Sequence, residues 1–224
     1  MDGVLLVDKP AGISSFGVVA RVRGIIKAET GQKIKIGHTG TLDPAATGLM
    51  ILVLGKYTKQ AGEFSKLDKT YEAELTLGKT STTGDSEGEI VQKSTGQPSL
   101  EQIQATLNTF LGEIEQTPPI FSAIKVDGQR AYKLARAGKE VVLQPRKVTI
   151  HSIKNVHYNY PKLAFTTSVS SGTYIRSLAE DIGAKLGTGA YMSALRRTEV
   201  GKYNIEAAQP IDKLSLSAII TQVP

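Results

Sequence analysis

The sequence contains no cysteine among its 224 residues. This absence excludes disulfide frameworks, thiolate zinc sites and cysteine nucleophiles, and it is typical of proteins in a reducing compartment. No apolar run approaches the roughly 18 residues that a transmembrane helix needs. The N-terminal segment has an acid at position 2 and no basic stretch ahead of an apolar one, so it does not predict a secretory signal. We therefore expect a cytoplasmic protein that makes no contact with a membrane.

Acidic residues are also scarce relative to basic ones, with 21 against 27 and a net charge of +6. Clustered Lys and Arg bind phosphates largely by releasing condensed counterions, so this surplus favours a nucleic-acid partner without establishing one. The chain exceeds the usual domain size of about 100 to 150 residues, yet no break in composition marks a second core. We interpret residues 1–224 as a single domain.

Helices are predicted where apolar residues recur every three or four positions. The first should follow a cap at Ser14 or Ser15. A capping box of Ser99 and Gln102 should begin another, which runs to about residue 111. Thr173 is expected to cap the last one. The apolar stripe of the first helix consists of Val18, Val19, Val22, Ile25 and Ile26.

Strands are predicted at Gly3 to Val7, at the buried run Leu49 to Leu54, and from Tyr71 onward, where apolar and polar residues alternate. Phe121 to Val126 should form another strand, closed by a turn at Asp127-Gly128. Helices and strands are mixed without a regular βαβ rhythm. The predicted fold class is therefore α+β, with a mixed or antiparallel central sheet flanked by helices and loops.

Reactive side chains concentrate in the segment GHTGTLDPAATG, residues 37–48. Pro44 restricts the backbone at Asp43, and the glycines allow the main chain to approach a ligand closely, so the carboxylate is displayed rather than buried. On this fragment alone, an ordinary Asp-Pro turn is the competing interpretation. The three histidines show no spacing typical of metal ligands, so no metal site is predicted.

A second concentration is SGTYIR, residues 171–176. Arg176 lies about 100 degrees round the predicted helix from Ile175, off the apolar stripe and within the first turn. A cation at that end opposes the helix dipole unless a carboxylate compensates it. We therefore expect an acidic side chain to face Arg176. Asp43 is a candidate, although spacing alone does not establish the contact.

Six segments in this order resemble one family across nearly the whole chain: GVLLVDKPAGISS, GHTGTLDPAATGLMILVLGKYTK, KTYEAELTLG, TPPIFSAIKVDGQRAYKLARAG, SSGTYIRSLAEDIGAKL and ALRRTEVGKY. They are similar to the TruB family of tRNA pseudouridine synthases, which act on uridine 55 in the T-loop. The combination of GHTGTLDPAATG with GTYIR is highly specific. The resemblance implies the pseudouridine synthase fold.

The resemblance also implies catalytic roles. Asp43 is expected to be the essential carboxylate while the C1′–N1 bond breaks and the detached uracil turns to bond through C5. Arg176 would keep Asp43 ionised, because a nearby cation lowers the pKa of a carboxyl group. Tyr71 would stack on the uracil and provide the route by which the C5 proton leaves. Attack by Asp43 on C1′, attack on C6 and proton abstraction from the sugar all remain open.

Other residues are implied to bind the substrate. Tyr174 and Leu195 would line the pocket, and His38 would pack where the flipped base leaves the loop. Four basic residues are assigned to RNA phosphates or, failing that, to solvated surface. These four are Lys9, Arg130, Arg196 and Arg197.

The implied partner is the T-arm of tRNA, bound by a monomer without a guide RNA, and the reaction needs neither a metal nor an organic cofactor. Two departures from the family pattern stand out. The chain has Ser81-Thr82-Thr83-Gly84-Asp85 where the family usually has Thr-Asp-Thr-x-Asp. It also stops soon after Ala207, where most bacterial relatives continue into an RNA-binding PUA domain, so no PUA domain is expected.

Three rival functions remain to be distinguished. One is an RNA-binding or RNA-folding module that has lost turnover, although intact Asp43, Tyr71 and Arg176 argue against it. Another is a guide-RNA-dependent relative that works inside a ribonucleoprotein. A glycoside hydrolase is the third, but no second acid accompanies Asp43 in a specific motif.

Overall fold

The computed structural model describes residues 1–126 and 128–219. Its strands are β1 (Gly3–Lys9), β2 (Ile36–His38), β3 (Thr47–Leu54), β4 (Lys69–Leu77), β5 (Lys79–Ser81), β6 (Ile90–Gln92), β7 (Gly112–Gln116), β8 (Lys125–Val126), β9 (Gln129–Arg130), β10 (Arg146–Asn159), β11 (Lys162–Val169), β12 (Ala190–Val200), β13 (Tyr203–Asn204) and β14 (Gln209–Pro210). Its helices are α1 (Ser15–Thr30), α2 (Ala61–Ser65), α3 (Leu100–Asn108), α4 (Ala131–Arg136) and α5 (Ile175–Lys185). Short 3-10 helices cover Gly55–Gln60, Ile205–Ala207, Ile211–Lys213 and Leu216–Ala218.

The chain forms two compact units, and we describe each by itself. The first unit comprises Met1–Glu72 and Leu195–Pro224, and the second comprises Ala73–Ala194. Strands β4 and β12 therefore contribute residues to both. No helix in the described part of the chain is long and apolar enough to cross a membrane.

The first unit is organised around β1 and β3, which pair antiparallel from Gly3↔Leu54 to Lys9↔Gly48. Strand β14 pairs parallel with β1, β2 pairs antiparallel with β3, and β12 pairs parallel with the start of β3. The pairing is therefore mixed. One side of β1 and β3 is buried in an apolar cluster, which also contains Phe64 and Val200. Helix α1 begins at a cap on Ser14, whose hydroxyl accepts a hydrogen bond from the Gly17 amide.

In the second unit β10 pairs antiparallel with both β7 and β11, and β4 lies on the other side of β11. Two small hairpins, β5–β6 and β8–β9, stand apart from these strands. Helix α3 begins with the capping box of Ser99 and Gln102. Helix α5 buries an apolar face that includes Leu178 and Ile182. Mixed strands with flanking helices in both units confirm the predicted α+β class.

Several boundaries differ from the sequence prediction. The strand expected from Phe121 forms only at β8, and part of its closing turn, Asp127, lies outside the described residues. Helix α3 ends at Asn108 rather than near residue 111, and Leu111 is 44% exposed, so it does not extend the buried stripe. Thr173 is not the cap of α5, because Tyr174 occupies that position. Four of the five predicted stripe positions, Val18, Val19, Val22 and Ile26, are buried, whereas Ile25 is partly exposed.

Candidate active site

Asp43 lies in the loop between β2 and β3, which we name the aspartate loop, residues 39–46. Leu42 and Ala46 are buried on either side of it, whereas Asp43 itself is partly exposed. The Ala46 amide donates to the Asp43 carbonyl at 3.1 Å, which closes a tight turn through Pro44. The turn therefore buries the apolar residues Leu42 and Ala46 and leaves Asp43 partly exposed between them. His38 ends β2 at the start of this loop and is partly buried.

The end of β1 supports the loop through its backbone. Lys9 has no exposed surface, and its ammonium donates to the carbonyls of Pro10 at 2.9 Å and Pro44 at 3.1 Å. The Gly12 amide adds a hydrogen bond to the Pro44 carbonyl at 2.9 Å. Burying a cation is costly unless its donors are satisfied, so these contacts explain the position of Lys9. Contact between Lys9 and an RNA phosphate would require the side chain to leave these acceptors.

The start of α1 holds the loop next to Asp43. The Ser15 hydroxyl donates to the Leu42 carbonyl at 2.8 Å and accepts from the Leu42 amide at 2.8 Å. The hydroxyl is buried, so both backbone groups of Leu42 depend on it for hydrogen bonding. Of the two caps that the sequence left open for α1, Ser14 is the one that forms, whereas Ser15 fixes the residue that precedes Asp43.

Strand β12 supports the loop from Arg197, which is 2% exposed. Its Nε donates to the Leu49 carbonyl at 2.7 Å, and its Nη2 donates to the Gly40 carbonyl at 3.1 Å. A side chain at Gly40 would crowd the guanidinium, since a Cβ there would lie 3.3 Å from Nη1. Arg197 therefore binds one carbonyl of the loop and one of β3, and a phosphate role would require it to be exposed.

Gly48 allows β3 and β12 to approach closely. Its φ is +104°, and a Cβ would lie 2.2 Å from the Arg197 carbonyl oxygen. We expect Gly48→Ala to lower the free energy of unfolding by about 3 kcal/mol or more, because backbone atoms must separate. Denaturant unfolding measures the change. Gly24→Ala is the control, since Gly24 is in a helix with nothing within 4 Å of a Cβ and the change should be neutral or stabilising. Equal effects of the two variants would contradict this account of Gly48.

Leu195 and Arg196 precede Arg197 on β12. Leu195 is partly exposed, and its carbonyl faces the Thr47 hydroxyl. Arg196 forms a two-pronged ion pair with Asp8, at 3.2 Å from Nη1 to Oδ1 and 2.8 Å from Nη2 to Oδ2. Asp8 raises the pKa of Arg196 and neutralises its charge. Because Arg196 is paired with Asp8 on β1, its attraction for an RNA phosphate is weakened.

Tyr71 lies on β4 and is 8% exposed. Its neighbour Thr70 is fixed to β12, because the Thr70 hydroxyl donates to Glu199 at 2.7 Å and the Thr70 carbonyl accepts from Thr198 at 3.3 Å. Lys69 is also buried, and burial together with the nearby Arg197 charge lowers the pKa of Lys69 to about 8. The tyrosine therefore belongs to a rigid strand rather than to a loop.

Arg176, in the first turn of α5, is 5% exposed. Its Nη1 donates to the Thr83 carbonyl at 3.1 Å and lies 3.5 Å from Oδ2 of Asp85. Its Nη2 donates to the Phe121 carbonyl at 2.8 Å. The guanidinium thus joins three segments of the second unit. The prediction that an acid faces Arg176 is confirmed, and Asp85 is one such acid.

Asp85 is itself fixed by its surroundings. Its Oδ1 accepts from the Thr83 hydroxyl at 2.6 Å and from the Glu87 amide at 3.0 Å, which leaves Oδ2 for Arg176. One turn along α5 from Arg176, burial raises the pKa of Glu180, and the charges of Asp181 and Asp85 raise it further. The Arg176 charge acts in the opposite direction on Glu180. Arg176 therefore contacts the carboxylate of Asp85, and its charge also lowers the pKa of Glu180 against the effect of burial.

Tyr174 is held at the start of α5 by Gln116, the last residue of β7. The Gln116 side chain accepts from the Tyr174 amide at 2.8 Å and donates to the Tyr174 carbonyl at 3.0 Å. Arg146 stacks on the Tyr174 ring at 5.1 Å from the centroid. Gln116 thus fixes the backbone of Tyr174, and Arg146 packs on the ring that is predicted to line the pocket. Arg130, by contrast, is exposed and donates to the Ala123 carbonyl at 3.1 Å.

A family profile described as TruB family pseudouridylate synthase (N terminal domain) matches residues 25–175. The profile of the tRNA pseudouridylate synthase B C-terminal domain matches residues 176–222. The chain belongs to the TruB family. This membership makes it a pseudouridine synthase, which is an isomerase.

Relatives of the TruB family match almost the full length of the chain. The tRNA pseudouridine synthase B of Cupriavidus metallidurans is 46% identical over 218 residues, which cover 96% of this chain and 68% of the relative. The enzyme of the same name from Aquifex aeolicus is 45% identical over 215 residues, covering 95% and 73%. The resemblance predicted from six motifs is thus confirmed.

Solved structures support the fold of this TruB family member. A chain in the crystal structure of a Cbf5-Nop10-Gar1 complex has a TM-score of 0.73 and 31% identity. A chain in the structure of an H/ACA RNP bound to a substrate RNA containing 2′-deoxyuridine has a TM-score of 0.70 and 28% identity. Each comparison covers 95% of this chain but only 53% and 52% of the solved chain. This chain therefore spans about half the length of each matched chain in these complexes.

Sequence reasoning missed several residues that organise the site. Ser15 and Gln116 carry no motif that reveals their distant partners, Leu42 and Tyr174. Asp85 could have been predicted from the sequence. The helix dipole required an acidic residue near Arg176, and the segment Ser81-Thr82-Thr83-Gly84-Asp85 ends in one. Among residues 1–126 and 128–219, no cluster of three or more potential ligands is placed to hold a metal ion.

Proposed function

We propose that this TruB family enzyme isomerises uridine to pseudouridine at position 55 in the T-loop of tRNA, with Asp43 as the essential carboxylate. The observation that carries the proposal is the aspartate loop, in which main-chain groups are fixed by Lys9, Ser15 and Arg197 while Asp43 is partly exposed. The name that the curated relatives share supports tRNA as the substrate.

The reaction requires the target nucleotide to leave its stack. The C1′ and C5 atoms are hidden while the base is stacked, so flipping costs a few kcal/mol. The C1′–N1 bond then breaks, the uracil turns, and a C1′–C5 bond forms as the C5 proton is lost and N1 becomes protonated. The detached base must be held in a dry site throughout. A carboxylate on a fixed backbone is suited to this chemistry, because it need not reorganise during the reaction.

The other site residues take supporting roles in the proposal. Arg176 keeps Asp43 ionised, Tyr71 stacks on the uracil and removes the C5 proton, and Tyr174 and Leu195 line the pocket. His38 packs where the flipped base leaves the loop. Arg130 contacts RNA phosphates, for which its exposure is suitable. We propose no metal, organic cofactor or guide RNA, and we propose that the enzyme is a cytoplasmic monomer.

The decisive experiment incubates the purified chain with unmodified tRNA transcript and with a T-arm stem-loop, without guide RNA. Pseudouridine is then mapped by carbodiimide labelling and reverse transcription. We expect modification at position 55 in both RNAs and none in a stem-loop in which that uridine is replaced by cytidine. Activity that appears only when a guide RNA is added would favour the guide-dependent class. Binding without any modification would favour an RNA-binding module.

Tyr71→Phe tests the proton-transfer role. The substitution retains the ring and removes only the hydroxyl, so RNA affinity should stay within about threefold while single-turnover product formation falls by about 100-fold. The measurement pairs filter binding with a single-turnover assay at saturating enzyme. Tyr57→Phe, in the same unit, is the matched control and should retain full turnover. Near-normal turnover by Tyr71→Phe would remove this tyrosine from any proton transfer.

A further inference from the structure

One side of α1 carries an exposed stripe of Phe16, Ala20, Arg23 and Lys27. At about 100 degrees per residue these positions fall within about 60 degrees of one another, so they form a line along the helix. Phe16 is 70% exposed, the highest value among the large apolar side chains of the described residues. A single exposed apolar side chain is common on protein surfaces and needs no explanation. The alignment of Phe16 with Arg23 and Lys27 along one side of the helix does need one.

The stripe begins beside the aspartate loop. Phe16 directly follows Ser15, whose hydroxyl exchanges two hydrogen bonds with Leu42 at 2.8 Å each. Gly12, just ahead of the helix, donates to the Pro44 carbonyl at 2.9 Å. Asp43 lies between these two anchor points. The phenylalanine ring is therefore attached to the same rigid backbone that presents the carboxylate.

The charge of α1 suits a polyanion. Arg21, Arg23 and Lys27 are exposed, the first turn holds no acidic residue, and Glu29 in the last turn is the one acid of the helix. No ion pair seen within the described residues neutralises Arg23 or Lys27. Along the axis, Arg23 and Lys27 lie about 10 Å and 16 Å from Phe16. An aromatic ring followed by cations is the arrangement with which proteins bind single-stranded nucleic acid.

We infer that this stripe binds the RNA strand next to the target nucleotide, with Phe16 stacked on a neighbouring base and Arg23 and Lys27 at phosphates. The inference rests on the proposed function and extends it to α1. Extrusion of the target uridine leaves an adjacent base without its stacking partner, and an exposed ring at a fixed distance from Asp43 replaces that partner. The two cations then hold the strand as it leaves the site.

The first test uses the absence of tryptophan from this chain. Phe16→Trp introduces the one tryptophan of the chain. Its fluorescence, excited selectively over that of the tyrosines, should be quenched on binding a T-arm stem-loop, and the variant should keep wild-type affinity. Phe16→Ala should weaken the dissociation constant about tenfold, because stacking on one base is lost. Thermal unfolding of each variant shows whether the fold is intact. An unquenched Phe16→Trp together with a Phe16→Ala variant of wild-type affinity would overturn the stacking role.

The second test separates the stripe from the general charge of the helix. Arg23→Gln and Lys27→Gln should each reduce the slope of log affinity against log salt by about 0.7 to 0.9, the value for one phosphate contact. Arg21→Gln removes the same charge from α1 at a position about 100 degrees or more from every residue of the stripe, so its slope should match that of the wild type. Equal effects of all three substitutions would overturn the inference in favour of nonspecific attraction.

Failure of this inference is distinguishable from failure of the proposed function. If the wild type forms no pseudouridine in tRNA, the proposed function fails, whatever the α1 variants do. If the wild type is active and the variants at Phe16, Arg23 and Lys27 bind and react as it does, the stripe has no role in the substrate complex. Binding of an acidic protein segment by the stripe, with RNA affinity unchanged in the variants, would also overturn it.

Discussion

Asp43→Asn should form no detectable pseudouridine, with a rate at least about 10,000-fold below that of the wild type. Asparagine keeps nearly the same shape but removes the negative charge and the nucleophilic oxygen. The backbone of the aspartate loop is held by hydrogen bonds from Lys9, Ser15 and Arg197, and the substitution leaves these three residues unchanged. RNA affinity should therefore stay within about threefold, because most of it comes from phosphate contacts elsewhere. Single-turnover assays and filter binding measure the two quantities.

The control for this variant is Asp212→Asn, the same change at an exposed position of the first unit. It should retain wild-type turnover and affinity. If Asp43→Asn converts uridine at a comparable rate, the catalytic residue has been assigned wrongly. If it loses RNA binding instead, Asp43 organises the loop and does not perform chemistry.

Arg176→Lys should lower kcat by about 100-fold or more, with a much smaller change in KM. The planar guanidinium donates to the Thr83 and Phe121 carbonyls and faces Asp85, and one ammonium does not satisfy all three acceptors. Melting temperature should also fall, since these buried groups lose a donor. Assays run well below both melting temperatures separate the kinetic effect from unfolding.

Arg21→Lys provides the matched control, because Arg21 is exposed and the substitution keeps its charge. Asp85→Asn removes the opposite partner of the ion pair and should also reduce kcat, by less than Arg176→Lys, because the two carbonyl contacts of Arg176 remain. Arg176→Lys with activity within a factor of two of the wild type would refute a role for this guanidinium in catalysis.

The local parts of the fold were predictable because their signals are local. The capping box at Ser99 and Gln102 and the cap at Ser14 involve residues three positions apart, and the structure contains both. The start of α5 was predicted wrongly because it depends on a residue that is distant in the sequence. Tyr174 takes the cap position because Gln116, distant in sequence, satisfies its amide and carbonyl. No spacing rule identifies such a partner.

The basic residues show a second limit of sequence reasoning. Lys9 and Arg197 were assigned to RNA phosphates or to solvated surface, because the sequence shows their charge but not the groups that accept their hydrogen bonds. In the structure both are buried and hydrogen-bonded to backbone carbonyls. Arg130 remains exposed, so its predicted phosphate contact stands as a prediction. The prediction of a turn at Asp43 did not depend on knowing hydrogen-bond partners, because proline and glycine restrict or free the backbone directly.

Side chains outside the aspartate loop hold it at main-chain atoms, namely the carbonyls of Gly40, Leu42 and Pro44 and the amide of Leu42. Thr41 and Ala45 are exposed on the same loop and take no part in these bonds. A library randomised at these two positions should therefore leave the carboxylate in place while changing the chemistry of the surface around it. The loop is thus a natural starting point for selecting enzymes that accept uridines in other sequence contexts.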